Sequence, residues 1–324
     1  MKAVIPVAGI GKRLRPHTHT SPKALVSVAG KPILGHIVDS LVAMGVSELI
    51  PIIGYKGDQI RDYLEGAYAL PMTFVEQKEQ KGIAHAVSLT REHADRSELI
   101  IILGDTIIDT DFKRIPKAGD YVLGVREVDD PGRFGICETD GGKITSIVEK
   151  PDDPKSNLAI VGLYYFRDSS LLYESCSEIM EKGITTKGEY QITDALSLMI
   201  ERGTEFVPYR INAWYDCGKV ETLLETNRVL LEGVENGSHG TDSVIIPPCF
   251  IDPGSTIERS VIGPYVSVAG GCTITDSVIR NSILNENSSL ANMVLDGSVI
   301  GACAEVRRAP SSLNISDDSQ AELG

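Results

Sequence analysis

The chain is short of several things, and each absence removes a class of protein. No apolar run approaches the ~20 residues that a bilayer-spanning helix needs, and 42 % hydrophobic with 23 % charged residues is an ordinary globular balance. A membrane partner is therefore not expected. Six cysteines, Cys137, Cys176, Cys217, Cys249, Cys272 and Cys303, include no C-x-x-C pair, and no histidine stands near them at zinc spacing. They read as reduced, mostly buried thiols. The opening MKAVIPVAG breaks at Gly9 and meets Lys12, Arg13 and Arg15, so it lacks the long apolar core and cleavage site of a signal peptide. The expected compartment is the cytoplasm. Positive charge is scarce overall, with a net −14, and a nucleic-acid partner is not expected because phosphate-backbone affinity comes from Lys and Arg.

Acid is missing from one stretch in particular. Between Met1 and Val38 stand Lys2, Lys12, Arg13, Arg15, Lys23 and Lys31 but no Asp or Glu, a positive island at the head of an acidic protein. A small polyanion is the ligand such an island suits.

At 324 residues the chain has room for a large domain and a smaller one. AVIPVAG reads as a buried strand feeding a loop rich in Gly, Pro and Thr up to Pro32. Ile33, Leu34, Ile37, Val38, Leu41 and Val42 then recur at helical spacing before Gly45, and SELIPIIG reads as a second strand. Helix is expected over 58–65, strand at MTFVEQ, helix over IAHAVSLTREHA and a strongly apolar strand, ELIIILGD, ending at Asp105. This alternation predicts βαβ units, a parallel sheet and a ligand crevice at the carboxyl ends of its strands, where the Gly9 loop and Asp105 would both lie. From about Asp120 to Arg167 the chain is strand-rich, and helices return at 168–182, 189–202 and 219–232.

After a polar, glycine-rich linker at 233–241 the texture changes. Ile245, Ile251, Ile257, Ile262, Val268, Ile274 and Ile279 recur about every six positions, with Gly254, Ser260, Gly263, Gly270 and Asn281 among the turn formers between them. This is the hexapeptide signature of a parallel β-helix over 242–310, with room for about four coils. Residues 311–324 are polar and acidic and read as a tail.

The densest chemistry lies in Ala8-Gly9-Ile10-Gly11-Lys12-Arg13-Leu14, followed by Ser21-Pro22-Lys23 and Gly30-Lys31-Pro32. Glycines admit phosphate oxygens to backbone N–H groups, while Arg13 and Lys23 offer cationic donors to charge that develops during transfer. A Walker loop is excluded because its first glycine is missing and Arg13 stands where Ser or Thr is needed. A dinucleotide fingerprint is excluded by Leu14 in the place of its third glycine.

These strings resemble the signature of the sugar nucleotidyltransferase family, G-x-G-[TSK]-R-L…PK, and the likeness runs over roughly residues 1–232. It is nearest to bacterial glucose-1-phosphate uridylyl- and thymidylyltransferases, and a hexapeptide β-helix is a common appendage in the family. The resemblance implies an α/β, Rossmann-like domain with a mixed, mainly parallel sheet, followed by a left-handed parallel β-helix. It implies transfer of a nucleotidyl group from UTP or dTTP to a sugar 1-phosphate, glucose 1-phosphate first, with release of pyrophosphate and with Mg2+ as cofactor. By the same likeness Ala8, Gly9 and Gly11 cradle the nucleotide, and Arg13 and Lys23 are catalytic. Gln77 and Gly82, in EQKEQKGIAHA, read the pyrimidine. Gly135, Glu149, Lys150 and Gly162 line the sugar-phosphate pocket, and Asp105 and Asp216 hold the metal. His85 receives no role, and the string Lys187 to Asp194 matches the family without a settled task.

Three other functions stay open on the sequence. One is a GTP-dependent mannose-1-phosphate guanylyltransferase, and another is a catalytically silent sugar-nucleotide sensor on the same fold. The third adds acyl transfer by the β-helix, against which none of His17, His19, His36, His85, His93 and His239 falls inside the repeat. Packing on the catalytic domain, or assembly of a homo-oligomer, is the role expected of the β-helix.

Overall fold

The structure, a computed structural model, describes residues 1–234 and 240–309. Most of the expected linker and all of the expected acidic tail therefore lie outside the described residues. The chain divides into two compact units: Met1–Ser27 with Lys31–Thr226, and Val28–Gly30 with the chain from Asn227 onward.

In the first unit, Lys2–Pro6 is the central strand because Ala3, Val4 and Ile5 are wholly buried. It pairs in parallel with Glu48–Ile53 on one side and Leu99–Ile102 on the other, and Glu48–Ile53 pairs in parallel with Val75–Glu76. All four strands thus end at one edge, where Pro6 leads to Gly9, Ile102 to Asp105 and Glu76 to Gln77. Backbone bonds stitch this edge together, from Val7 N–H to the Ile52 carbonyl (2.9 Å), Gln77 N–H to Ile53 (2.8 Å) and Gly104 N–H to Pro6 (3.2 Å). The parallel sheet and its crevice were legible from the βαβ alternation.

The strand-rich segment extends the same sheet with antiparallel pairs. Leu158–Phe166 lies against Leu99–Ile102 and Tyr121–Glu127, and Gly135–Asp140 and Lys143–Glu149 continue outward, making the sheet mixed. The helix Ile33–Met44 buries Ile33, Leu34, Ile37, Val38 and Leu41 and stops at left-handed Gly45 as expected. Val42, expected on the same apolar face, is 47 % exposed. The single helix expected over Ile83–Ala94 is two, Ile83–Ser88 and Arg91–Ala94. Between them buried Thr90 turns its hydroxyl onto the Val87 carbonyl (2.7 Å) and the Tyr173 hydroxyl (2.8 Å), a local bond that competes with helix continuation. The sequence also gave no warning of a two-stranded antiparallel ribbon, Thr106–Asp109 with Ala213–Asp216, which sets Asp216 directly opposite Thr106.

The second unit is the parallel β-helix that the hexapeptide repeat predicts. Three four-stranded parallel sheets form its faces, and Ile262, Val268, Ile274 and Ile279 are wholly buried, with Ile257 nearly so. Ile245 and Ile251 pack against the same core with partial exposure. Val244 pairs with Val261, which pairs with Val278, which pairs with Val294. Successive coils therefore advance 17, 17 and 16 residues, slightly short of three full hexapeptides. Buried serines line one corner, with Ser260 N–H donating to Ser243 Oγ and Ser277 N–H to Ser260 Oγ, each at 3.1 Å. Among the described residues no helix is long and apolar enough to cross a membrane.

Candidate active site

Two cavities open at the carboxyl edge of the first unit's sheet. The larger, about 500 Å³, is lined by Ala8, Gly9, Gly11, Arg13, Lys23, Gln77, Gly82 and Asp105 among others. The smaller, about 380 Å³, is lined by Gly135, Glu149, Lys150, Gly162, Trp214 and Asp216. Arg13, Ile83, Leu103, Asp105 and Glu189 belong to both. Every residue assigned a site role from the sequence therefore lies on one cavity or the other, and the two cavities meet at Arg13 and Asp105.

The glycine loop owes its shape to close packing. Gly11 has φ +68°, and a Cβ there would lie 2.7 Å from the Cβ of Lys23, so the backbone can bring Lys23 under the loop only with glycine at this position. Thr18 Oγ1 donates to the Gly11 carbonyl at 2.9 Å and Gln80 Nε2 to the Ala8 carbonyl at 2.8 Å. At Gly9 a Cβ would meet nothing within 4 Å; the space beside it is open to the cavity.

Lys23 Nζ stands 2.6 Å from Asp105 Oδ2. Partial burial pushes the Asp105 carboxyl up, but the charge and hydrogen bond of Lys23, with a smaller pull from Arg13, outweigh it and hold the group below the usual carboxylate range. Asp105 is thus an anion. Asp216 is brought beside it by the ribbon, and Cys217 N–H donates to the Asp105 carbonyl at 3.1 Å. Burial pushes the Cys217 thiol up to about 12, which favours the protonated thiol. Magnesium takes one or two carboxylates and completes its octahedron with water and phosphate oxygens. Two oxygen-donor carboxylates, Asp105 just before one strand of the ribbon and Asp216 at the end of the other, fit an ion of that kind.

In the smaller cavity Glu149 is fixed from two sides, by Thr193 Oγ1 at 3.0 Å and Lys150 Nζ at 3.3 Å. Lys150 adopts φ +43°, a left-handed backbone uncommon for lysine, with its N–H on the Phe134 carbonyl at 2.9 Å. The Phe134 and Trp214 rings meet edge to face with centroids 4.8 Å apart. Trp214 Nε1 is buried without a partner, a donor available beside the cavity. Asp194, next to Thr193, is raised by burial and by the Glu149 charge.

Glu189, Thr193, Trp214 and Gln80 are among the lining residues that had no role assigned from the sequence. Glu189 and Thr193 lay within the unassigned Lys187 to Asp194 string, and Trp214 stands two residues before Asp216, so the signal was present without its meaning. Gln80 carried no signal beyond its place in the loop after Gln77.

The nucleotidyl transferase family profile matches residues 2–233, and a GlmU-like, C-terminal hexapeptide profile matches residues 227–309. The chain belongs to the nucleotidyl transferase family. The transferase is 32 % identical to a glucose-1-phosphate thymidylyltransferase of Streptomyces antibioticus, over 100 % of this chain and 99 % of that one. It is 37 % identical to a UTP–glucose-1-phosphate uridylyltransferase of Haloferax volcanii, over 72 % of this chain and 97 % of that one. Among solved structures it resembles UDP-glucose pyrophosphorylase complexed with UDP-glucose, with a TM-score of 0.64 and 25 % identity, over 72 % of this chain and 99 % of that one. Transferases of this family generally use a divalent metal, and the Asp105 and Asp216 pair offers oxygen ligands of the required kind.

Proposed function

We propose that the first unit transfers a nucleotidyl group from UTP or dTTP to glucose 1-phosphate, with Mg2+ as its metal, and releases pyrophosphate. The observation that carries this reading is the shared wall of the two cavities, where Arg13 and Asp105 stand between the glycine loop and the Glu149 pocket. The names of the relatives, thymidylyl- and uridylyltransferases, point the same way.

In this reading the triphosphate lies along the Ala8, Gly9 and Gly11 backbone with its base toward Gln77 and Gly82. The sugar sits against Gly135, Glu149 and Gly162, with its phosphate on Lys150. A sugar-phosphate oxygen attacks the α-phosphorus in line; the new P–O bond forms as the bond to the β-phosphate bridging oxygen breaks, and its electron pair leaves on pyrophosphate. The nucleophile is already an anion, so no general base is required. Lys23 and Arg13 neutralise charge on the transferring and leaving phosphates. Asp105 and Asp216 would hold magnesium, which supplies further charge neutralisation on phosphate oxygens. The catalytic domain is assigned to 1–232 and the β-helix to 242–310, the latter for packing or assembly of a homo-oligomer, in a cytoplasmic enzyme.

Crystals soaked with UDP-glucose and dTDP-glucose test the assignment. The base is expected against Gln77 and the glucose against Glu149, with the α-phosphate between them at Arg13. A sugar bound away from the Glu149 pocket would overturn the site assignment.

A further inference from the structure

We propose that His85 is a positioning residue that locks the Gln77 side-chain amide, leaving only its carbonyl oxygen to face the nucleotide. The inference rests on the reading of Gln77 as the base contact. Gln77 is only 7 % exposed, and its Nε2 lies 3.2 Å from the Gly82 carbonyl and 3.1 Å from His85 Nδ1. A carboxamide nitrogen has two hydrogens, and these two acceptors use both. Gln77 lines the larger cavity while His85 does not, and no described residue bonds to Gln77 Oε1. The free end of the amide is therefore an acceptor.

His85 can accept this bond only as the neutral ring with its proton on Nε2. Burial, aided by the Lys81 charge and opposed by Glu79, holds the imidazole below its ordinary value. The ring is carried on the helix Ile83–Ser88, whose start is tied by Ala86 N–H to the Gly82 carbonyl at 3.1 Å and Ala84 N–H to the Tyr190 carbonyl at 3.0 Å. Ser88 Oγ donates to the His85 carbonyl at 2.7 Å. Acceptor and glutamine are thus held in one rigid frame.

The chemical consequence is selection between pyrimidines. An unrestrained glutamine amide can donate or accept, and by rotating half a turn it suits uracil, thymine or cytosine. With its nitrogen committed to Gly82 and His85, Gln77 can accept the N3–H of uracil or thymine. Cytosine presents a lone pair at N3 and would meet the Oε1 lone pair head-on. His85 never touches the nucleotide; it acts through the orientation of Gln77.

The test compares the wild-type chain with H85L, H85Q, Q77A and the H85L/Q77A double variant. Kd for UTP, dTTP and CTP is read by calorimetry, and kcat by pyrophosphate release. H85L is expected to weaken UTP or dTTP binding about three- to ten-fold, the loss typical of one hydrogen bond. Its preference over CTP should shrink by a similar factor, with kcat nearly unchanged. H85Q, which retains an acceptor oxygen, is expected to restore the preference, and the double variant to bind no worse than Q77A. If H85L loses its cooperative melt, H85M replaces it. Wild-type preference in H85L alongside a weakened Q77A would overturn the positioning role and leave the base contact standing. A Q77A variant with unaltered Kd for all three nucleotides would remove the base contact and this inference together.

Discussion

The Lys23 ammonium lies 2.6 Å from the Asp105 carboxylate, so the cation proposed to bind phosphate and the anion proposed to hold the metal are paired with each other in the free protein. Each neutralises the other and so lessens the strain of holding both at one cavity wall. In the proposed mechanism, Lys23 would turn from Asp105 to a phosphate oxygen when the triphosphate binds, freeing Asp105 to hold the metal.

Lys23→Ala and Asp105→Asn are both expected to lower kcat by about 10²–10³, the scale seen when a preorganised charge partner is removed. Melting should stay cooperative in both. Steady-state pyrophosphate release and a thermal melt on each variant check this. Near-normal turnover in a folded variant would remove that residue from the chemistry.

Glu149 is held by Thr193 and Lys150 in the smaller cavity, the proposed sugar pocket. Glu149→Ala should raise KM for glucose 1-phosphate about ten- to a hundred-fold, as for loss of a charged hydrogen bond, and leave KM for the nucleotide within about two-fold. A nucleotide effect as large as the sugar effect would contradict the division between the cavities.

Gly82 has φ +109°, and a Cβ there would lie 2.4 Å from the Tyr190 carbonyl oxygen, which itself accepts from Ala84 N–H. Gly82→Ala must either bend the backbone, at about 1–2 kcal/mol for the disfavoured φ, or push away the 186–191 segment. The expected result is a lower melting temperature together with weaker nucleotide binding. A melt and Kd equal to wild type would show that the approach of the two segments is dispensable.

Asp39 offers a pH-dependent prediction. Burial pushes its carboxyl up, but hydrogen bonds from Lys31 and from Tyr68 (2.8 Å) outweigh this and hold it below the usual carboxylate range. A folded value below the unfolded one contributes stability at pH above the unfolded value of about 3.9, and that stability is lost as pH falls through the folded value. Asp39→Asn should lower the melting temperature at pH 7 by a degree or two, given about 0.5 kcal/mol for an exposed pair. The gap should close as the pH is taken below the folded value. An equal gap at both pH values would contradict the assigned role of the charge.

Much of this architecture was legible because it is written in local patterns. The β-helix showed itself in the six-residue rhythm from Ile245 to Ile279, and the parallel sheet in apolar strands alternating with helices. The glycine loop and Asp105 followed, since each ends a strand and parallel strands end together. The pairing of Asp216 with Asp105 was not legible from periodicity, because it depends on a four-residue ribbon linking positions more than a hundred residues apart; only family likeness suggested it. His85 was opaque for a different reason. Its significance lies in one acceptor atom 3.1 Å from Gln77, and neither composition nor spacing carries tautomers or the direction of an amide.

In the proposed reading, one site joins a pyrimidine nucleotide to a sugar phosphate. The most direct test is pyrophosphate release with Mg2+ across UTP, dTTP, CTP, GTP and ATP against glucose, mannose and glucosamine 1-phosphates. Turnover is expected with UTP or dTTP, strictly dependent on the sugar phosphate, fastest with glucose 1-phosphate and lost on chelation of the metal. Turnover confined to GTP would contradict the Gln77 base contact. Silence across the grid, with tight binding of nucleotide sugars, would contradict the account and make this site a sensor.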